Sequence, residues 1–155
     1  MSLDDELLAT ESIKARSLGK ILNHLKREFD TWACREFTKH GYNDFKMAHV
    51  PVLMNIDVGG TTNQELAKRT KVSKQAMSKV LRELQESGYI KAKAHADDKR
   101  SITLTLTERG KKLVLNSRKR MVLLHEDFNK LFGEKKFNEL IDHLLQIIHY
   151  YESKS

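Results

Sequence analysis

One face of the segment 72–90 carries hydrogen-bonding side chains and no carboxylate. Read at helical spacing, an i, i+3, i+4, i+7 stripe collects an amide, a hydroxyl and two cations: Gln75, Ser78, Lys79 and Arg82. An apolar stripe of the same spacing lies on the opposite side of that helix: Met77, Val80, Leu81 and Leu84. A solvated helix face is usually rich in Glu and Lys. This stripe instead offers the donors and charges that bind phosphates and the edges of bases.

The positive charge of the chain is concentrated in its centre. The net charge is +7 over 155 residues. Residues 62–120 hold 16 Lys/Arg and 6 Asp/Glu, a net +10, whereas residues 1–61 sum to −1 and residues 121–155 to −2. A basic centre between nearly neutral flanks suits a polyanionic partner, most simply nucleic acid. A solvated lysine-rich surface would give the same charges, so charge alone leaves both interpretations open.

The length and composition indicate one domain of ordinary size, or two small lobes that share a core, in a reducing compartment. With 39% hydrophobic residues, one proline and seven glycines, the chain can bury a core and is not of low complexity. A single cysteine cannot form an intrachain disulfide, so we expect a cytoplasmic protein. The acidic start MSLDDELLAT has no long apolar run, and no stretch approaches the roughly 18 apolar residues of a membrane span. We therefore expect no membrane partner.

Helical signals precede the two-faced segment. An apolar period of five turns predicts one long helix over residues 10–40. Asp44 is a candidate N-cap for a second helix over residues 45–57, in which Pro51 predicts a kink or a break.

A capped helix, a short turn and a second capped helix come next. Thr62 and Glu65 form a capping box at the start of a short helix. The turn TKVS follows, and Ser73 is a good N-cap for the two-faced helix. Gly88 can end that helix in a left-handed conformation.

The hydrophobic period then changes from helix to strand. Alternation over residues 90–95 and again over residues 102–106 flanks a short polar loop, which predicts a β-hairpin. Thr107 can cap a further helix, and Gly133 separates that helix from a last one. Helix, turn, helix and hairpin in this order predict a helix-turn-helix followed by a two-stranded wing. In such a unit the outer face of the second helix lies in the major groove of DNA.

Two stretches of the centre form a specific combination of motifs. They are TTNQELAKRTKVSKQAMSKVLRELQESGYI and DDKRSITLTLTERGKKL. The second joins an Asp-x-Arg at the wing tip, an alternating strand and LTERG at the start of a helix. With these motifs, residues 61–113 resemble the DNA-binding lobe of the MarR family of bacterial winged-helix regulators. Outside that range only the pattern agrees, with one long N-terminal helix and two C-terminal helices.

The resemblance implies which residues meet DNA. The recognition helix would present five side chains to the major groove: Lys74, Gln75, Ser78, Lys79 and Arg82. Helix starts would meet phosphates through Thr62, Asn63, Gln64 and Ser73. The wing would contact DNA through Lys99 and Arg100, with Arg100 reaching into the minor groove and Asp98 bracing the wing. Relatives often carry a proline before the Asp-x-Arg, which HADDKR lacks.

The resemblance also implies a homodimer. We expect a single MarR-type domain over residues 1–155, mainly α with a small β-wing. Residues 10–40 and 121–155 would form dimerisation helices, and residues 61–113 the winged-helix lobe. Independently, the last helix has apolar side chains on more than one face, which a partner would cover. The alternative is a monomer whose long first helix folds back over them. A two-fold dimer would favour a palindromic operator in double-stranded DNA.

Members of the family often bind small aromatic effectors between the dimer helices and the DNA-binding lobe. Trp32, Tyr42, Phe45 and His49 are candidates for such a pocket, although residues of these types are more often core. Cys34 lies toward the end of the long helix, whereas the peroxide sensors of the family carry their cysteine near its start. A small buried hydrophobe is the ordinary alternative for this residue.

Other classes find little support in the sequence. It has no P-loop, G-x-S-x-G, H-E-x-x-H or tight Cys/His cluster, so we expect no enzyme, no cofactor and no metal. An architectural DNA-binding protein without base readout stays an alternative, as does a winged helix used only for protein contacts. We expect a transcriptional repressor that a small molecule releases from its promoter. The resemblance suggests repression, and the residues do not show its sign.

Overall fold

The computed structural model describes residues 2–98 and 100–155, which form a mainly helical chain with one small sheet. The helices are α1 (Leu3–Ala9), α2 (Glu11–Ala15), α3 (Leu18–Lys39), α4 (Val50–Leu53), α5 (Asn63–Thr70), α6 (Lys74–Glu86), α7 (Glu108–Phe132) and α8 (Glu134–Glu152). The strands are β1 (Thr61–Thr62), β2 (Ile90–Ala94) and β3 (Ile102–Leu106), and a 3-10 turn, Met47–His49, precedes α4. The predicted fold class is confirmed. Lys99, which the sequence places at the DNA, lies outside the described residues.

The predicted helix starts and ends in the centre of the chain are confirmed. The hydroxyls of Thr62, Ser73 and Thr107 each accept the backbone N–H three residues on, at 3.1–3.2 Å. Each hydroxyl thereby satisfies a donor that the helix itself leaves unpaired. Gly88 follows α6 with φ +72°, a conformation that glycine adopts without steric cost.

Two predicted helices are shorter than expected. The long helix begins at Leu18 rather than at residue 10, because Ser17 takes an extended conformation and the apolar period starts only after it. The helix expected over residues 45–57 is a 3-10 turn followed by the four-residue α4. Pro51 stands in the first turn of α4, where a missing N–H leaves no bond unmade. Asp44 caps neither element, because its carboxylate binds Tyr89 and Arg109 instead.

The sheet is antiparallel with the order β1-β3-β2. The predicted hairpin pairs Ile90 with Leu106 at its base and Ala94 with Ile102 toward its tip. Strand β1 was not predicted, because two residues are too few for a periodic signal. Its pairing of Thr61 with Leu104 joins the start of α5 to the wing.

The core lies where α4, α5, α6, the sheet and the start of α7 meet. Its most buried large side chains, all at most 1% exposed, are Leu53, Leu66, Leu84, Tyr89, Leu104 and Leu113. Helices α3, α7 and α8 instead expose apolar side chains, among them Leu25, Val122 and Leu145, each more than half exposed. Among the described residues, no helix is both long enough and apolar enough to cross a membrane.

Candidate nucleic-acid interface

Helix α6 has one buried face and one exposed face, as its sequence predicts. Met77, Val80 and Leu84 are buried in the core. The exposed face forms one shallow, open depression lined by Lys74, Gln75, Ser78, Lys79 and Arg82. The Ser78 hydroxyl donates to the carbonyl oxygen of Lys74 at 3.0 Å, which leaves its oxygen free to accept. The structure therefore brings the five predicted side chains together on a surface without a carboxylate.

A short turn over residues 71–73 connects α5 to α6. Lys71 ends α5 in the left-handed region, at φ 51°, and its N–H donates to the carbonyl oxygen of Ala67 at 3.1 Å. The half-buried Val72 then packs against the core. Ser73, at the start of α6, is exposed beside the depression.

The start of α5 carries the other predicted phosphate contacts. Thr62 is half-buried and its hydroxyl belongs to the cap, while Gln64 is exposed. Glu65 accepts hydrogen bonds from the backbone N–H and the hydroxyl of Thr62, which hold the pKa of this carboxyl below its usual value. Asn63 is half-buried and points its carboxamide at the wing.

The wing tip is shaped by its own polar groups. The Asp98 carboxylate accepts the N–H of Arg100 at 2.9 Å, and its carbonyl oxygen accepts the N–H of Ser101 at 3.0 Å. Nε2 of His95 lies 2.6 Å from the Thr103 hydroxyl. The Arg100 side chain is exposed. These bonds shape the turn between β2 and β3, and they place Arg100 at the tip of the hairpin.

A comparison with protein families matches this part of the molecule. Residues 43–101, from the segment before α4 to the wing tip, match the model of the MarR family. This segment is thus similar to the MarR family.

Solved structures of MarR proteins share the fold of the chain. It is similar to a MarR transcriptional regulator from Methanosarcina mazei Go1, with a TM-score of 0.77 and 21% identity over 89% of this chain and 98% of that one. It is also similar to Streptococcus pneumoniae FabT in complex with DNA, with a TM-score of 0.71 and 17% identity over 90% of this chain and 100% of that one. At these identities the likeness establishes the MarR fold.

One characterised relative is similar in sequence. The HTH-type transcriptional repressor YetL of Bacillus subtilis (strain 168) is 28% identical over 94 residues, which cover 61% of this chain and 52% of that protein. The chain thus matches about half the length of this relative.

A cavity of about 210 Å³ lies between α3, α4 and α7 of the MarR fold. Its walls are mainly apolar, with Phe29, Trp32, Met54 and Met121 among them. Arg118, one of the α7 residues that line the cavity, is exposed and adds a cation.

Glu36 supplies the buried charge of this cavity. Arg120 approaches its carboxylate to 2.5 Å without hydrogen-bond geometry, and Lys39 donates to it at 3.2 Å. Burial alone would raise the pKa of Glu36, but the two cations outweigh it and hold the pKa below its usual value. Glu36 is therefore an ionised, paired carboxylate in the cavity wall.

Only one of the four predicted effector residues lines the cavity. Trp32 does so, whereas Phe45 and His49 are buried in the core and Tyr42 packs half-buried against it. The expectation that all four share one pocket is corrected. The segment after α3 folds inward, so that the Phe45 ring meets the Phe37 ring edge-on at 4.8 Å between centroids.

His49 instead connects the segment before α4 to α6. It is 1% exposed, its Nδ1 accepts the N–H of Lys46 at 3.1 Å, and its Nε2 donates to Glu83 on α6 at 2.7 Å. The Lys46 ammonium also lies 3.4 Å from that carboxylate. Both ring nitrogens thus have hydrogen-bond partners, and the contact with Glu83 holds α6 against the segment before α4. The two residues are 34 positions apart, so no local pattern indicates their contact.

Replacing Glu83 with glutamine is expected to reduce the decrease in the free energy of unfolding that occurs as the pH falls. The pKa of Glu83 lies below its usual value, chiefly because His49 donates to its carboxylate and further because Lys46 is near. Such a carboxylate stabilises the fold fully above the usual glutamate pKa of about 4.3, and this contribution is lost as the pH falls through the lowered value. Denaturant midpoints from about pH 6 down to about pH 3 measure it.

The matched control for this change is Glu86→Gln. Glu86 is exposed on the same helix, so its replacement removes the same charge. The stability of this control should fall with decreasing pH as steeply as that of the wild type. A Glu83→Gln variant as acid-sensitive as the control would contradict the His49 contact.

A second network ties α6 and the wing to α7. The Tyr89 hydroxyl donates to Asp44 at 2.6 Å, and Arg109 donates to both oxygens of that carboxylate at 3.0 Å. The Arg109 guanidinium also stacks 4.3 Å over the Tyr89 ring. Partial burial alone would raise the pKa of Asp44, but these donors and the charge of Arg109 hold it below its usual value. Burial and the neighbouring carboxylate raise the pKa of Tyr89.

Proposed function

We propose that this protein is a sequence-specific DNA-binding regulator of transcription that reads the major groove with the exposed face of α6. The observation that carries the proposal is the depression lined by Lys74, Gln75, Ser78, Lys79 and Arg82. Gln can pair bidentately with adenine, and Arg or Lys with guanine. A carboxylate among these five side chains would repel phosphates, and Glu83, next to Arg82 in the chain, is engaged by His49 and Lys46.

The proposed regulator acts as a homodimer on a palindromic operator. Helices α3, α7 and α8 expose apolar side chains that a second copy would cover, consistent with dimerisation through residues 10–40 and 121–155. A two-fold dimer would present its two α6 helices about one DNA turn apart.

The proposed mode of action is repression in the cytoplasm by occupancy of a promoter. The similar protein YetL is named as a transcriptional repressor, and the similar FabT structure holds DNA. The alternative is an architectural DNA-binding protein, which would use the same basic surface without reading bases.

Arg82→Ala tests base readout. An operator is first selected from random-sequence DNA, and affinities for it and for a scrambled duplex are measured by fluorescence anisotropy. If Arg82 reads a base, the variant should lose roughly 5- to 150-fold for each of the two half-sites of the operator, the equivalent of 1–3 kcal/mol per contact, and much less on the scrambled duplex. Lys119→Ala, at an exposed lysine of α7 outside the proposed dimerisation segments, is the control and should change neither affinity. An equal loss on both duplexes would make Arg82 a phosphate contact.

We further propose that a small aromatic effector occupies the cavity beside Trp32 and releases the protein from DNA. The cavity combines apolar walls with the exposed cation of Arg118, which suits an aromatic acid. Trp32 is the one tryptophan of the chain, so its emission reports on this cavity.

A panel of aromatic acids should therefore quench Trp32 emission saturably, and operator binding should fall with the same half-saturation. Free N-acetyltryptophanamide corrects for absorption by the ligand. Emission that changes with no member of the panel, beyond this correction, would argue against an aromatic acid as effector.

A further inference from the structure

The side chain of Asn63 bridges the start of α5 and the wing tip. Its Nδ2 donates to the carbonyl oxygen of Arg100 at 3.3 Å, and its Oδ1 accepts the N–H of Ile102 at 3.1 Å. These two hydrogen bonds, called the Asn63 bridge below, enclose Ser101 between them. The partners also fix the orientation of the amide, since a carbonyl oxygen only accepts and an N–H only donates.

The Asn63 bridge takes the place of a third residue pair between β1 and β3. Thr61 pairs with Leu104 and Thr62 with Thr103, so the next residue of a longer β1 would lie beside Ile102. The backbone of Asn63 cannot pair with Ile102 in this way, because α5 begins at Asn63. The carboxamide offers the same donor and acceptor as a peptide group and takes its place.

The bridge differs from the other bonds of the tip in what it connects. The bonds of Asp98 to Arg100 and Ser101, and the bond from the His95 N–H to the Ser101 carbonyl oxygen at 3.0 Å, lie within the tip. They shape the turn, whereas the Asn63 bridge relates the turn to α5. The position of Arg100 relative to the helix-turn-helix thus depends on a neutral side chain outside the wing.

We infer that Asn63 is a positioning residue that holds Arg100 for its contact with DNA. This rests on the proposed function. It also revises the expectation that Asn63 itself meets a phosphate, because its oxygen and one of its N–H groups are engaged by the wing. The second N–H of the amide could donate to a phosphate, and the two roles differ in a measurable way.

The salt dependence of operator binding separates the two roles. Each phosphate charge that a protein neutralises contributes about 0.9 to the slope of log affinity against log salt. A neutral amide that binds a phosphate lowers affinity but leaves this slope unchanged. A neutral amide that positions a cation changes the slope when it is removed.

The experiment compares Asn63→Ala, Arg100→Ala and the double variant on the selected operator over a salt series. The proposed dimer carries two copies of Arg100, each worth about 0.9, so Arg100→Ala should lower the slope by about 1.8. Asn63→Ala should lower the slope by more than half of that amount. The double variant should bind within about twofold of Arg100→Ala, because both changes remove one contact. Gln64→Ala, at the next and exposed residue, is the control for α5 and should keep the wild-type slope. A wild-type slope for Asn63→Ala, or losses that multiply in the double variant, would overturn the positioning role.

A measurement without DNA tests the bridge itself. The N–H of Ile102 loses its acceptor in Asn63→Ala, so its hydrogen exchange should accelerate at least about tenfold, whereas that of Leu113 in α7 should not change. Unchanged exchange at Ile102 would overturn the bridge. If the wild type bound no DNA, the proposed function would fail and the positioning role with it, while fast exchange in the variant would still establish the bridge. The two failures are therefore distinguishable.

Discussion

Replacing Gly110 with alanine is expected to destabilise the protein by about 3 kcal/mol or more. A Cβ at this position would lie 2.1 Å from the carbonyl oxygen of Tyr89, far inside contact distance. That oxygen is backbone and accepts the N–H of Thr107 at 3.0 Å, so it cannot yield as a flexible side chain could. Relief would have to separate α7 from the base of the wing. Chemical denaturation followed by circular dichroism measures the effect.

Gly19→Ala is the matched control for this change. Gly19 also lies in a helix, α3, but a Cβ there would meet no atom within 4 Å. Alanine is the better helix former by about 1 kcal/mol, so this variant should be as stable as the wild type or more so. A Gly110→Ala protein of wild-type stability would show that α7 does not pack this closely on Tyr89.

Reversing two charges on the exposed face of α6 is expected to abolish operator binding. The variant Lys79→Glu with Arg82→Glu loses two cations and places two carboxylates where phosphates and bases would lie. We expect an affinity loss of roughly 10³-fold or more, because each bidentate contact to a base is worth about 1–3 kcal/mol and the new charges repel the DNA. Both side chains are exposed, so the fold should be retained.

Lys112→Glu with Lys119→Glu changes the net charge of the chain by the same amount and is the matched control. These two lysines are exposed on α7 and lie outside the proposed DNA contacts and the proposed dimerisation segments. If net charge alone governed binding, both double variants would lose affinity equally. Equal losses would therefore contradict a localised interface on α6.

The sequence predicted those features that depend on residues close together in the chain. The caps of Thr62, Ser73 and Thr107 each involve a residue three positions away, and all three are confirmed. The two faces of α6 were predictable for the same reason, because helical periodicity is a local property. The five side chains predicted to face the major groove lie on one surface, and their contacts with DNA stay predictions.

The features that the sequence did not predict involve residues distant in the chain. Asp44 is a good N-cap by type, yet Tyr89 and Arg109, 45 and 65 positions away, bind its carboxylate instead. His49 was expected in a ligand pocket because of its type, and its partner Glu83 could be identified only from the fold. Tertiary contacts that compete with local preferences therefore account for both corrections.

The most direct test of base readout by α6 is the ratio of specific to non-specific affinity. Fluorescence anisotropy of the wild type on DNA from upstream of its own gene, or on the selected operator, is compared with a scrambled duplex over a salt series. We expect a preference of roughly 10³ or more for the operator near physiological salt. Equal and steeply salt-dependent binding to every duplex, including the DNA selected from random sequence, would contradict base readout and identify an architectural DNA-binding protein.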